Sequence, residues 1–100
     1  MEVRLTDIAE GHAERIDAWW RKNRPAAPEL FMQELGAVIV LLGTAPETGE
    51  KYRSVGDRVV RRALLERTRQ WAFHHIDDGV VTVIAIWGVQ RRRGPPLVLR

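Results

Sequence analysis

Residues 70–77 and 80–89 are two extended runs rich in apolar and aromatic side chains, and only Asp78-Gly79 separates them. No other feature restricts the fold as strongly. A two-residue Asp-Gly loop suits the type I′ turn, whose twist matches that of the strands it joins, so residues 70–89 predict a β-hairpin. The second run is almost wholly β-branched or apolar, which predicts an interior strand covered substantially on both faces. Residues 59–65 mix apolar and arginine positions and predict the strand before the hairpin. Val3-Arg4-Leu5 alternates over a short span and predicts an edge strand.

Between these β segments the period changes. Thr6 predicts an N-cap, acidic residues follow it, and Ile8, His12, Ile16, Trp19 and Asn23 recur at helical spacing. Asn23-Arg24-Pro25 ends that helix, because proline lacks the N–H that continues the ladder and disfavours αR in the residue before it. A second helix is predicted from near Ala27, with Phe31, Leu35, Val38 and Leu42 as its apolar stripe. Gly36 interrupts it at a cost of about 1 kcal/mol, which close approach of the first helix would offset. Gly43 and Pro46 end it, and residues 44–58, with Gly, Pro, Thr, Ser and Asp, read as a loop. The expected order is β-α-α-β-β-β over residues 1–100, one α+β domain with a helical hairpin on a small antiparallel sheet.

Composition narrows the function classes. The chain has no cysteine, which removes disulfide frameworks and thiolate metal sites. The longest apolar stretch is too short to cross a bilayer, and the N-terminus lacks the basic and apolar regions of a signal peptide, so a cytoplasmic protein is expected. Charge is divided unevenly. Residues 1–50 carry 5 Lys/Arg and 9 Asp/Glu, a balance of −4, whereas residues 51–100 carry 11 and 4, a balance of +7. That asymmetry fits a surface for a polyanion or an acidic partner, or else solvated charge spread without a cluster.

His74-His75 is the most conspicuous pair for chemistry. Neighbours on a strand point to opposite faces, and no H-x-H or H-E-x-x-H pattern accompanies them. No metal or cofactor is therefore expected, and partly buried, hydrogen-bonded histidines are. Ser54 has no nucleophile context, and residues 43–52 do not meet the spacing of a phosphate-binding loop. The arginines carry more information. Arg61 and Arg62 fall on the strand before the hairpin, Arg67 and Arg69 in the turn after it, and Arg91, Arg92 and Arg93 beyond the last strand. Guanidinium groups suit bidentate recognition of carboxylate or phosphate, but charge also protects strand edges. Arg67 and Arg69 meet the Arg91–Arg93 run only if strand order or the tail permits. Trp19 and Trp20 lie about 100° apart on their helix, so one of them is partly off the core stripe and available as a protein-binding anchor.

The segment Asn23-Arg24-Pro25-Ala26-Ala27-Pro28-Glu29-Leu30-Phe31 resembles the helix–helix joint of RelE/ParE-type toxins. So do Pro46, Gly49 and Tyr52, the run Val60-Arg61-Arg62-Ala63-Leu64-Leu65, His74-His75-Ile76-Asp77, and residues 83–88 followed by Arg91-Arg92-Arg93-Gly94-Pro95-Pro96-Leu97. The resemblance spans nearly the whole chain. It implies the growth-arresting toxin of a type II toxin–antitoxin pair, neutralised by a cognate acidic antitoxin and reaching operator DNA only through it. ParE-like members inhibit DNA gyrase by binding; RelE-like members cut mRNA on the ribosome. In RelE-like members an arginine commonly precedes the apolar–aromatic part of the strand matching residues 70–77. Here Trp71 stands at that place with Arg69 displaced, and no tyrosine follows Arg93. These departures favour the ParE-like branch, with Trp20, Arg61, Arg62, Arg67, Arg69, Arg91, Arg92 and Arg93 implied as antitoxin or target contacts. For the ribonuclease alternative the residues are Arg69, His74, His75 and Arg91, with Tyr52 as a further substitute.

Overall fold

The computed structural model describes residues 1–99. Along it run β1 (Glu2–Leu5), α1 (Asp7–Asn23), α2 (Leu30–Thr44), β2 (Glu50–Val55), β3 (Arg58–Leu65), β4 (Gln70–Asp77) and β5 (Val80–Gly88). The fold is α+β, as the sequence predicts, with both helices on one face of the sheet. The sheet has five strands in the order β1-β5-β4-β3-β2. β1 runs parallel to β5 at one edge, and the other pairs are antiparallel. The expected three-strand meander with a separate edge strand is thus one strand short, and the sheet is mixed where antiparallel pairing was expected.

The additional strand is β2, inside the segment read as a loop. Its register against β3 shifts between Lys51 and Arg53, so the inward residues Tyr52 and Val55 do not alternate cleanly. That bulge hides the period of two. The turn into β3 carries a signal of its own: Gly56 adopts φ 62° in a two-residue Gly-Asp connection. At the other hairpin Asp78 (φ 50°) and Gly79 (φ 75°) are both left-handed, as a type I′ turn requires.

Thr6 caps α1, its hydroxyl accepting from the Ala9 amide at 3.1 Å. The face α1 buries is rotated from the expected stripe. Ala9, His12 and Ala13 are buried, with Ile16 and Trp20 packed beside them, while Ile8 and Trp19 remain 43% and 49% exposed. Small side chains at 9 and 13 let the helix lie close to the sheet, which turns the bulky neighbours outward. On α2 the expected stripe holds, and Phe31, Leu35, Val38 and Leu42 are all buried. That helix starts at Leu30, after turns closed by Ala27 N–H to the Arg24 carbonyl and Leu30 N–H to the Ala27 carbonyl. Pro28 biases Ala27 away from αR and delays the start. A Cβ at Gly36 would meet nothing within 4 Å, so close approach of α1 does not offset its helix cost.

The sheet is covered on both faces. Val81, Val83 and Ile86 of β5 face the helices with Ala63, Leu65 and Ala72. Ile84 and Ala85 join Val60 and Phe73 on the other face, where Leu97 and Leu99 of the tail pack. β5 therefore sits inside the sheet with apolar cover above and below, as its composition predicts.

Candidate functional site

Gln70 pairs with Gly88, and the Val89 amide donates to the Arg69 carbonyl at 3.0 Å. The β3–β4 turn and the exit of β5 consequently lie side by side at one end of the sheet. This brings Arg67 and Arg69 together with Arg91. The C-terminus of α1 arrives at the same place, and the three segments enclose a groove of about 500 Å³. Its charged lining is Arg24, Arg67, Arg69 and Arg91, with Trp19 and Trp20 on the helix side.

Each wall is held by a distinct device. The turn is pinned by Glu34 on α2, whose carboxylate accepts from the Arg67 amide (2.7 Å), the Thr68 amide (2.9 Å) and the Thr68 hydroxyl (2.6 Å). Arg69 follows at φ 60°, a left-handed conformation uncommon outside glycine and asparagine. The Arg24 guanidinium lies 5.2 Å from the centre of the Trp19 ring, and Trp20 donates its indole N–H to the Ala27 carbonyl at 2.7 Å. Arg91 stacks 3.9 Å above Trp87. Trp87 in turn packs edge-on against His12, with ring centres 5.5 Å apart.

His12 links the groove to the core. The Ile86 amide lies beyond the last β1–β5 pair, at Leu5 and Val83, and donates to His12 Nδ1 at 3.2 Å. An accepting Nδ1 needs the neutral ring. Burial lowers the His12 pKa first, and the positive charges of Arg15 and Arg91 lower it further.

Electrostatically the groove is uncompensated. Arg4 pairs with Glu2, Arg21 with Asp17, Arg58 with Asp77 and Arg62 with Glu50. Among the described residues no carboxylate pairs with Arg24, Arg67, Arg69 or Arg91. The Glu34 carboxylate is occupied by the turn backbone and the Thr68 hydroxyl. The groove lining also contains no histidine, carboxylate, lysine or tyrosine that could act as a general base.

The remaining singled-out residues divide between two other places. Arg92 and Arg93 line a smaller cleft of about 190 Å³ that shares Gly88, Val89 and Arg91 with the groove. Arg62 belongs to it, lying 4.1 Å from the Trp71 ring centre and bonded to Glu50 at 2.6 Å. Arg61 lies apart, in a cleft of about 290 Å³ with His74 and His75. Both histidines are buried more deeply and bonded less than expected. His74 Nδ1 lies 3.2 Å from the Ala72 carbonyl, whereas His74 Nε2 and both nitrogens of His75 have no partner among the described residues. Burial is the main cause of their lowered pKa values, with Arg61 acting in the same direction on His74 and Arg58 on His75. Arg69 and His74 are five residues apart on one extended segment, roughly 17 Å. Arg69 and Arg91 thus share one cavity, and His74 and His75 another.

Arg24, Trp19 and Glu34 were not singled out from sequence as groove residues. Arg24 had a local signal, since it follows Trp19 and Trp20 by about one helical turn. Glu34 had none, because its partners lie more than thirty positions along the chain.

No family model matches the chain, and no curated protein matches it. Among solved structures, a chain described as "Chromosomal ParDE TA system from P. aeruginosa" superposes with a TM-score of 0.65 at 17% identity, covering 90% of this chain and 97% of that one. The chain has a ParE-like fold. At that identity the likeness concerns the fold, and the groove described above lies within the ParE-like framework, at the end of the sheet where β5 exits.

Proposed function

We propose that this chain is the toxin of a type II toxin–antitoxin pair, of the ParE-like kind, inhibiting DNA gyrase by binding and neutralised by a cognate acidic antitoxin. The observation that carries this reading is the near-complete structural overlap with a chain of a ParDE TA system. The uneven charge supports it. Arg62, Arg67, Arg69, Arg91, Arg92 and Arg93 of the second half line the groove and the cleft beside it, giving an acidic partner a surface to meet, while Arg61 lies apart. Trp20, Arg67, Arg69 and Arg91, with Arg61, Arg62, Arg92 and Arg93, are the proposed contacts with antitoxin or target. Operator DNA is reached through the antitoxin.

Binding is favoured over ribosome-dependent mRNA cleavage by the separation of His74 and His75 from Arg69 and Arg91; of the candidate acid–base residues only Tyr52 shares a cleft with Arg91. A metal-free ribonuclease needs an acid–base group within hydrogen-bond reach of the 2′-OH and cations at the same phosphate. Here Arg69 and Arg91 line the groove, and His74 and His75 line another cleft.

The test is a supercoiling assay with purified gyrase. The full chain should block supercoiling and raise the amount of cleaved DNA, and co-purified antitoxin should reverse both effects. Gyrase that remains fully active in excess of the chain would sink the reading. Transcript fragmentation at defined positions on expression would replace it with the ribonuclease alternative.

A further inference from the structure

We propose that the outer face of α2 pairs with the same face of a second copy of this chain, antiparallel about a twofold axis, in a weak dimer. That face shares no residue with the arginine groove, and the dimer does not depend on which enzyme the chain inhibits.

On α2 little keeps the outer face in water. Glu34 is its one charged side chain, and it is spent on the β3–β4 turn. Phe31, Leu35, Val38 and Leu42 face the core, yet Val40 is 71% exposed, Leu41 45% and Met32 44%. These three share the outward side with Gly36 and Ala37, among which stand only the uncharged Gln33 and Thr44. Single exposed apolar residues are ordinary, but a helix that is apolar all round is normally buried all round.

The face also carries a knob and a notch. A Cβ added at Gly36 would meet nothing within 4 Å, so no neighbour among the described residues accounts for a glycine in mid-helix. Val40 stands one turn further along the same ridge. A twofold axis through the midpoint of that ridge lays each Val40 over the Gly36 of the other copy. The surface that fits this face is therefore the same face turned around. Interlocking of such ridges is the commonest helix pairing, and glycine at the crossing lets two backbones approach closely.

Electrostatics selects the occupant. The face holds no charge to repel its twin. An acidic antitoxin laid there would run beside Glu10, Glu14 and Asp17, which share a cleft with Met32 and Ile39. Area sets the strength. A helix of 15 residues is about 22 Å long and ~10 Å across, so the contact is smaller than the ~800 Å² per partner of a standard interface. A dissociation constant of roughly 10–100 µM is expected.

Sedimentation of the full chain from about 1 to 500 µM tests the proposal, and the mass should rise from one copy to two and stop there. The dimer should persist between ~0.1 and ~0.5 M salt, unlike an association of acidic with basic ends. Val40→Glu should stay monomeric with an unchanged melting temperature, because the side chain is exposed. Gly36→Leu separates fit from stickiness. It adds apolar surface and suits a helix better than glycine, yet filling the notch should weaken the dimer at least ~10-fold. Circular-dichroism melts of both variants separate lost pairing from lost fold. The chain has no cysteine, so single substitutions read the geometry. On air oxidation, Gly36→Cys mixed with Val40→Cys should cross-link faster than either variant with itself. Faster self-linking of either would overturn the antiparallel placement, as would Gly36→Leu pairing as tightly as the parent. A parent that stays monomeric at the top concentration would also overturn the proposal, and loss of antitoxin binding in Val40→Glu would then assign the face to the antitoxin.

Discussion

The helical side of the molecule and the β5-exit end of the sheet treat charge in opposite ways. On α1 the acidic residues Glu10, Glu14 and Asp17 border an apolar cleft of about 280 Å³ floored by Leu5, Ala13, Leu35 and Ile39, and Asp17 is paired with Arg21. At the sheet end, guanidinium groups gather against tryptophan rings without carboxylate partners. Glu34 joins the two regions. It lies on α2, yet its carboxylate holds the backbone of the arginine-bearing turn, leaving the arginine heads free. Apolar surface is buried on the helical side, and charge is left unanswered at the sheet end, where recognition is proposed.

That contrast can be broken most severely from the helical side. Phe31 of α2 is completely buried, and Phe31→Ala should cost about 3–5 kcal/mol in urea unfolding, a large share of the stability of a domain of this size. The junction between regions comes next. Glu34→Ala removes three hydrogen bonds and leaves the buried Thr68 hydroxyl and two amides unanswered, an expected loss of about 2–3 kcal/mol. Hydrogen exchange should speed up at Arg67 and Thr68 first. Unchanged exchange there would show that the turn holds itself.

Protonation probes the core from another direction. His12, His74 and His75 all have folded-state pKa values depressed below 6.5, chiefly by burial. Above that value both folded and unfolded states are neutral, and the stability is fully present. As pH falls below 6.5 the unfolded chain binds protons that the folded chain resists, so unfolding free energy should drop, by at most about 1.4 kcal/mol per pH unit for each histidine. A flat profile between pH 6.5 and the folded-state pKa values would mean that the rings take up protons without penalty. His12→Gln should remove one histidine's share of the slope while retaining an acceptor for the Ile86 amide.

Changes at the charged surfaces should be small in stability and unequal in recognition. Arg91→Gln removes the stack on Trp87, worth about 0.5–1 kcal/mol at an exposed site, and should weaken inhibition far more than it lowers the melting temperature. Arg21→Ala breaks the exposed helical pair with Asp17 and should shift stability by only about 0.3–0.5 kcal/mol, with no effect on inhibition. Similar losses of inhibition in both variants would erase the distinction between the two regions.

Most elements were legible locally. The Asp78-Gly79 turn, the Thr6 cap and the α2 stripe follow from dihedral preference and periodicity, which act over a few residues. β2 was not, because the bulge at Lys51–Arg53 breaks the alternation by which a half-buried strand is recognised. The α1 face was displaced for another reason: its stripe was read through bulky residues, and the sheet accepted alanines. For the site, Arg67, Arg69, Arg91 and Trp20 could be singled out by type, but their grouping with Arg24, and their separation from His74 and His75, could not.

By itself the sequence determined a helical pair, a closing hairpin and a doubly covered last strand, since these depend on neighbours within a turn or two. Only the tertiary structure decided that β1 lies parallel beside β5, and that residues near 24, 68 and 91 enclose one groove. Pairings between segments tens of residues apart depend on how surfaces fit when the whole core closes, and no local pattern encodes that fit.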